Sequence, residues 1–127
     1  MNNPKDMRNI AAGKTGEKIA ADFLVRSGYR ITEVNYRCPI GEIDIVARDQ
    51  NELVFVEVKT RKSVALGYPE QAVNVKKQKK MSQLALWYLE EKKLKDVNAR
   101  FDVVAVLMLS SGPDVRLVKN AFDFVSY

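Results

Sequence analysis

Past residue 15, apolar side chains fall at Ile19, Ala20, Phe23 and Leu24, the spacing of one helix face, and Gly28 supplies a stop. The pattern predicts a first helix over residues 15–27. Three short segments rich in β-branched and aromatic residues follow, at about 29–36, 42–48 and 53–60, with turns at 39–41 and 49–52. The second and third are apolar on both faces: Ile43, Ile45 and Ala47 alternate with Val46, and Val54, Val56 and Val58 alternate with Leu53 and Phe55. Such strands belong at the centre of a covered sheet. After a loop holding Gly67, Pro69 can open a helix whose pattern runs through Met81, Leu84, Ala85, Tyr88 and Leu89 to about Lys93. A last buried strand spans 101–109, and Gly112-Pro113 turns the chain into an edge strand at 115–119. The order helix, three strands, helix, strand predicts an α/β fold, a mixed central sheet flanked by helices.

A chain of 127 residues fits one domain. Residues 1–12 lack periodicity and read as a flexible arm, leaving 13–127 as the folded unit. Hydrophobic residues make up 46% and charged residues 29%, which argues against disorder over most of the length. A net charge of +5 favours an anionic partner. The chain has no histidine, so imidazole bases, acids and metal ligands are excluded, and with them the Ser-His and Cys-His hydrolases. Cys38 is the only cysteine, which removes intramolecular disulfides and multi-Cys zinc sites. The opening residues hold no apolar stretch suited to export or to crossing a membrane, so a cytoplasmic location is expected.

Against this background Glu42, Asp44, Glu57 and Lys59 stand out, because they interrupt segments of Ile and Val where charge costs stability. A hairpin turn centred on Gln50 and Asn51 makes opposed residue numbers sum to 101. That register sets Asp44 across from Glu57 and Glu42 across from Lys59, all on one face. Opposed carboxylates repel unless a positive charge stands between them, and a divalent cation such as Mg²⁺ takes oxygen ligands of this kind. Lys59 would then stand beside the metal, placed to orient a water or bind phosphate. The constellation suits phosphodiester hydrolysis. Glu17, bordering the buried stripe of the first helix, can add a further acid, and Gly13 and Gly16 leave room for close backbone approach.

These residues carry a resemblance. Gly41-Glu42-Ile43-Asp44 followed by Glu57-Val58-Lys59 resembles the D…E-x-K signature of the PD-(D/E)XK nuclease superfamily. More narrowly, Gly16-Glu17, residues 55–61, Gly67 with Pro69, and residues 100–104 are similar to the YraN-type family of small bacterial proteins, themselves similar to archaeal Holliday junction resolvases. The resemblance implies a restriction-endonuclease-like αβββαβ core. It further implies Asp44 and Glu57 as ligands of Mg²⁺ or Mn²⁺, Lys59 as the catalytic lysine, Glu17 as a helix-borne catalytic acid, and a homodimer acting on branched DNA. Ile43 stands where the superfamily usually has proline.

Other charges surround this set. Arg61 and Lys62 extend from the same strand end as Lys59, the run Lys76, Lys77, Lys79, Lys80 opens the second helix, and Arg37 lies before the second strand. Each is a candidate for contact with a nucleic-acid backbone, although a basic run is as often a solvated face. Tyr36 and Tyr68 are placed to flank the site, with packing as the commoner role. Trp87 and Tyr88 fit helix core or a dimer face, and Asp102 in the last buried strand reads as structural. Two rivals to a nuclease remain: a non-catalytic nucleic-acid-binding module of the same fold, and an adaptor whose carboxylates and Lys59 form a structural ion cluster.

Overall fold

The computed structural model describes residues 4–62 and 73–125. Helix α1 (Pro4–Arg26) precedes strands β1 (Arg30–Cys38), β2 (Gly41–Asp49) and β3 (Glu52–Arg61). Helix α2 (Val75–Glu91) and strands β4 (Ala99–Leu109) and β5 (Gly112–Phe122) follow. The strands form one sheet in chain order, antiparallel except where β3 runs parallel to β4. Helix α2 makes that crossover, as parallel neighbours require. The fold is α/β with a mixed sheet and the expected αβββαβ order, consistent with a nuclease-like core.

The helices cover opposite faces. Ala20 and Leu24 of α1 pack with Ile45, Ala47, Val54, Val56, Val104 and Val106. Met81, Leu84, Ala85 and Tyr88 of α2 pack with Val46, Leu53, Phe55 and Phe101. Because Leu53 and Phe55 alternate with Val54 and Val56 along β3, the two clusters lie on the two sides of one sheet. Burial on both sides explains why β2 to β4 read as nearly continuous apolar runs.

Local signals set the ends. Gly28 takes a positive φ of 96°, and the Tyr29 amide donates to Leu24 O at 2.9 Å, closing α1. Asn74 caps α2, its side chain accepting from the Lys77 amide at 2.9 Å. Helix α1 begins at Pro4, whereas the sequence suggests an arm up to residue 12 and order near Thr15; the lack of an apolar stripe there hid the extension. The loop holding Gly67, Tyr68 and Pro69 lies outside the described residues. No described helix is long and apolar enough to cross a membrane.

Candidate metal centre

The β2–β3 hairpin has the expected register: Asp49 pairs with Glu52 across Gln50 and Asn51, and the ladder continues to Ile45 with Val56. There the regular pairing stops. Strand β3 continues beside β4 through Arg61, while β2 departs from it, so the Val58 amide loses its neighbour on that side. The Asp44 carboxylate takes that place, its Oδ2 accepting from Val58 N at 2.8 Å. On the other flank, the β1 position in register with Asp44 is Asn35, which takes a positive φ of 56°. The strand pattern is therefore broken on both sides of Asp44, and alternation breaks with it. Ile43 packs with Val46 on the α2 side, not with Ile45 and Ala47 as simple alternation predicts.

This break brings acids from separate elements together. Carboxylate oxygens of Glu17, Glu42 and Asp44 lie within 4.8 Å of one another. Glu17 is delivered by α1, which approaches the sheet so closely that a Cβ on Gly16 would overlap Thr60 Oγ1. Glu42 pairs with Arg37 across β1 at 3.2 Å. Asp44 also feels Glu57. Burial first, then the Glu57 charge, and more weakly Glu17 push its carboxyl up to about 7, against the opposing hydrogen bond from Val58 N. A carboxyl raised this far by burial and neighbouring acids makes a seat for a positive charge. The donor set is carboxylate oxygen throughout, which suits a hard cation such as Mg²⁺ or Mn²⁺.

Beyond Asp44, Glu57 is buried and faces the α2 side. Its Oε1 is 3.4 Å from Lys59 Nζ and 3.3 Å from Lys77 Nζ. The expected facing of Glu42 and Lys59 is replaced by pairing of Glu42 with Arg37 and of Lys59 with Glu57, because regular β2–β3 pairing ends before their level. Asp44 and Glu57 lie beyond the last regular β2–β3 pair and so are not the opposed strand partners expected; what links them is charge, with Glu17 joining.

A model described as "Uncharacterised protein family UPF0102" matches residues 16–106, a span that holds all these acids and both lysines. The chain belongs to that family. It is 51% identical over 116 residues to a UPF0102 protein of Syntrophus aciditrophicus, covering 91% of each chain. It is 49% identical over 116 residues to one of Geotalea daltonii, again 91% of each. With one of Caldicellulosiruptor saccharolyticus it shares 44% identity over 118 residues, 91% of this chain and 100% of the relative. The YraN-type resemblance seen in the sequence is thus to its own family.

Within this UPF0102 chain the remaining basic candidates divide. Arg61 and Lys62 stand at the end of β3 beyond Lys59, and Arg37 is largely exposed. Lys76, Lys79 and Lys80 line a groove of about 540 Å³ with Asn74, Lys77 and Gln83, but Lys77 also reaches inward to Glu57. Tyr36 is buried in β1, edge-on to Tyr88 at 5.0 Å between ring centres, and donates its hydroxyl to Glu91, a packing role. Asp102 is structural, as expected: fully buried, it accepts from Tyr29 Oη at 2.7 Å, Arg100 Nε at 3.0 Å and Asn120 N at 2.9 Å. Sequence reasoning treated Glu42 only as a strand partner of Lys59 and Lys77 only as part of a run. The i, i+2 spacing of Glu42 and Asp44 was a usable signal for the first; nothing in the sequence marks the second.

Proposed function

We propose that this UPF0102 protein is a Mg²⁺- or Mn²⁺-dependent endodeoxyribonuclease that hydrolyses phosphodiester bonds of branched or otherwise structured DNA as a homodimer in the cytoplasm. The observation that carries the reading is the convergence of Glu17, Glu42 and Asp44 within 4.8 Å, beside a Glu57 that holds Lys59 at 3.4 Å. Glu17, Glu42 and Asp44 are the residues that would hold the cation, with Glu57, whose carboxylate acts on Asp44, as the adjoining ligand. A divalent cation bound there supplies charge that polarises a phosphate and lowers the pKa of a water. Lys59 supplies the other part: an ammonium beside the same carboxylate, placed to orient the attacking water and to offset negative charge growing on the phosphate. Arg61, Lys62, Lys76 and Arg37 supply backbone contacts that fix position without reading bases. The homodimer draws support from an apolar hollow of about 480 Å³ lined by Leu86, Leu89, Val97 and Phe124, beside exposed Trp87.

The test is incubation of purified protein with labelled linear, single-stranded, flap and four-way DNA in Mg²⁺, Mn²⁺ or EDTA. Cleavage is expected in the cations and absent in EDTA. Asp44→Ala and Lys59→Ala are each expected to lower the rate by about 10²-fold or more, the scale set by loss of one electrostatic stabiliser. Cleavage retained by both variants would assign it to a contaminant. Salt-sensitive binding with no cleavage of any substrate would replace the enzyme by a nucleic-acid-binding module.

A further inference from the structure

Lys77 stands where the acid cluster and the basic groove meet. Its Nζ is 3.3 Å from Glu57 Oε1, the oxygen that Lys59 also approaches, and its side chain lines the groove with Asn74, Lys76, Lys79, Lys80 and Gln83. One carboxylate oxygen thus faces a pair of ammonium groups. The two are not equally fixed. Lys59 lies within β3, in register with Ala105 of β4, and its side chain is 21% exposed. Lys77 extends from the first turn of α2 and is 36% exposed, on a stem of four carbons that can turn outward.

The groove itself has a chemical preference. Lys76, Lys79, Lys80 and Gln83 follow i, i+3, i+4, i+7 spacing, so they form one stripe along α2. Lys80 Cε also lies near Gly41, which sets the β1–β2 turn beside that stripe. Among the described residues no acid lines the groove. A row of ammonium groups on a regular pitch fits a sugar–phosphate backbone, and it leads through Lys77 to Glu57.

We propose that Lys77 is a positioning residue that couples the two sites. With the groove empty, its ammonium occupies Glu57 Oε1 in competition with a divalent cation. With a nucleic-acid backbone in the groove, it turns to a phosphate and leaves that oxygen to the cation. Cation and nucleic acid then raise each other's affinity by the same factor, as linkage demands. This inference rests on the metal-centre reading above and adds the order in which the centre becomes complete.

The first experiment titrates Mn²⁺ into the purified full chain by calorimetry, comparing wild type with Lys77→Gln, Lys77→Arg and, beyond the far end of α2, Lys95→Gln. Lys77→Gln is expected to bind Mn²⁺ about two- to fivefold more tightly, the range one partly exposed charge supplies. Lys77→Arg should return to the wild-type value, and Lys95→Gln should match it. Wild type that binds Mn²⁺ with Lys77→Gln no tighter overturns the inference alone. Failure of every protein to bind Mn²⁺ removes the metal centre and the inference with it. A second experiment follows anisotropy of a labelled oligonucleotide in Ca²⁺ and in EDTA. Wild type should bind more tightly in Ca²⁺, and Lys77→Gln should lose most of that gain. Equal wild-type affinity in both conditions overturns the coupling.

Discussion

Asp44 shows how one side chain can serve the fold and strain it together. Its carboxylate satisfies the Val58 amide that the parting of β2 from β3 would leave unpaired. Burial and the nearby Glu57 charge nevertheless hold its carboxyl up to about 7, far above its ordinary 3.8. The folded protein therefore retains a proton that the unfolded chain has released. Stability falls as pH rises from about 4 to about 7, and the full cost remains above that. Three pKa units correspond to at most about 4 kcal/mol; relaxation and water entry around a buried charge reduce the expected effect to about 1–2 kcal/mol. Asp44→Asn keeps an oxygen for the Val58 amide and removes the charge. In EDTA at pH 7.5 this variant should melt several degrees above wild type, with a flatter profile between pH 5 and 7. Addition of Mg²⁺ or Mn²⁺ should raise the wild-type melting temperature and leave that of Asp44→Asn nearly unmoved. A lower melting temperature for Asp44→Asn in EDTA would mean that the acids form a structural ion cluster.

At the scale of elements, the contact between α1 and β3 decides whether the acids meet. Gly16 lets the helix backbone lie against Thr60, and the next residue, Glu17, thereby reaches Asp44 and Glu42 from the opposite face to α2. A β-branched threonine has little freedom to yield to an added methyl. Gly16→Ala should cost about 1–3 kcal/mol by overpacking and should also weaken Mn²⁺ binding as α1 lifts. Thr60→Ala in that background should recover much of both losses, a coupling that a double-mutant cycle in melting temperature and calorimetry measures. The second helix makes a different contribution. Its apolar stripe is legible from Met81, Leu84, Ala85 and Tyr88, and all four are buried. Where its first-turn lysines point depends on the distance from α2 to β3, which no local pattern encodes.

Across the whole molecule, charge is arranged at both ends of the sheet for different ends. Far from the acid cluster, by about 17 Å along β2 at the usual strand rise, Arg100 ties the structure together. Its guanidinium donates to Asp49, Glu52, Asp102 and Tyr29, and its side chain is 10% exposed. The hydrogen bond from Arg100 holds the Asp49 carboxyl below its ordinary range, while burial and the Asp102 acceptor raise the Tyr29 hydroxyl above its own. This network joins the β2–β3 turn to β4, and through Asn120 to β5. Arg100→Met leaves Asp102 buried without its cation and should destabilise the protein by about 3–5 kcal/mol in urea unfolding. Mn²⁺ affinity of the folded variant should be unchanged, because the centre lies at the other end of the strands.

Periodicity and turn chemistry along the chain determined the elements, their order, the 101-sum register and the two-sided burial of β2 to β4, since these follow from side-chain alternation and from Gly, Pro and Asn at the breaks. They likewise singled out Asp44, Glu57 and Lys59, because charge inside an apolar run is conspicuous by its cost. Tertiary structure alone decided which groups meet. The parting of β2 from β3 at Asp44 and the close approach of α1 at Gly16 set Glu17 and Glu42 beside Asp44. The placement of α2 sets Lys77 on Glu57, and the fold of the sheet ends sets Arg100 among its acids. Such meetings depend on distances between elements, and those distances arise from packing the whole core, where every strand and helix constrains the rest.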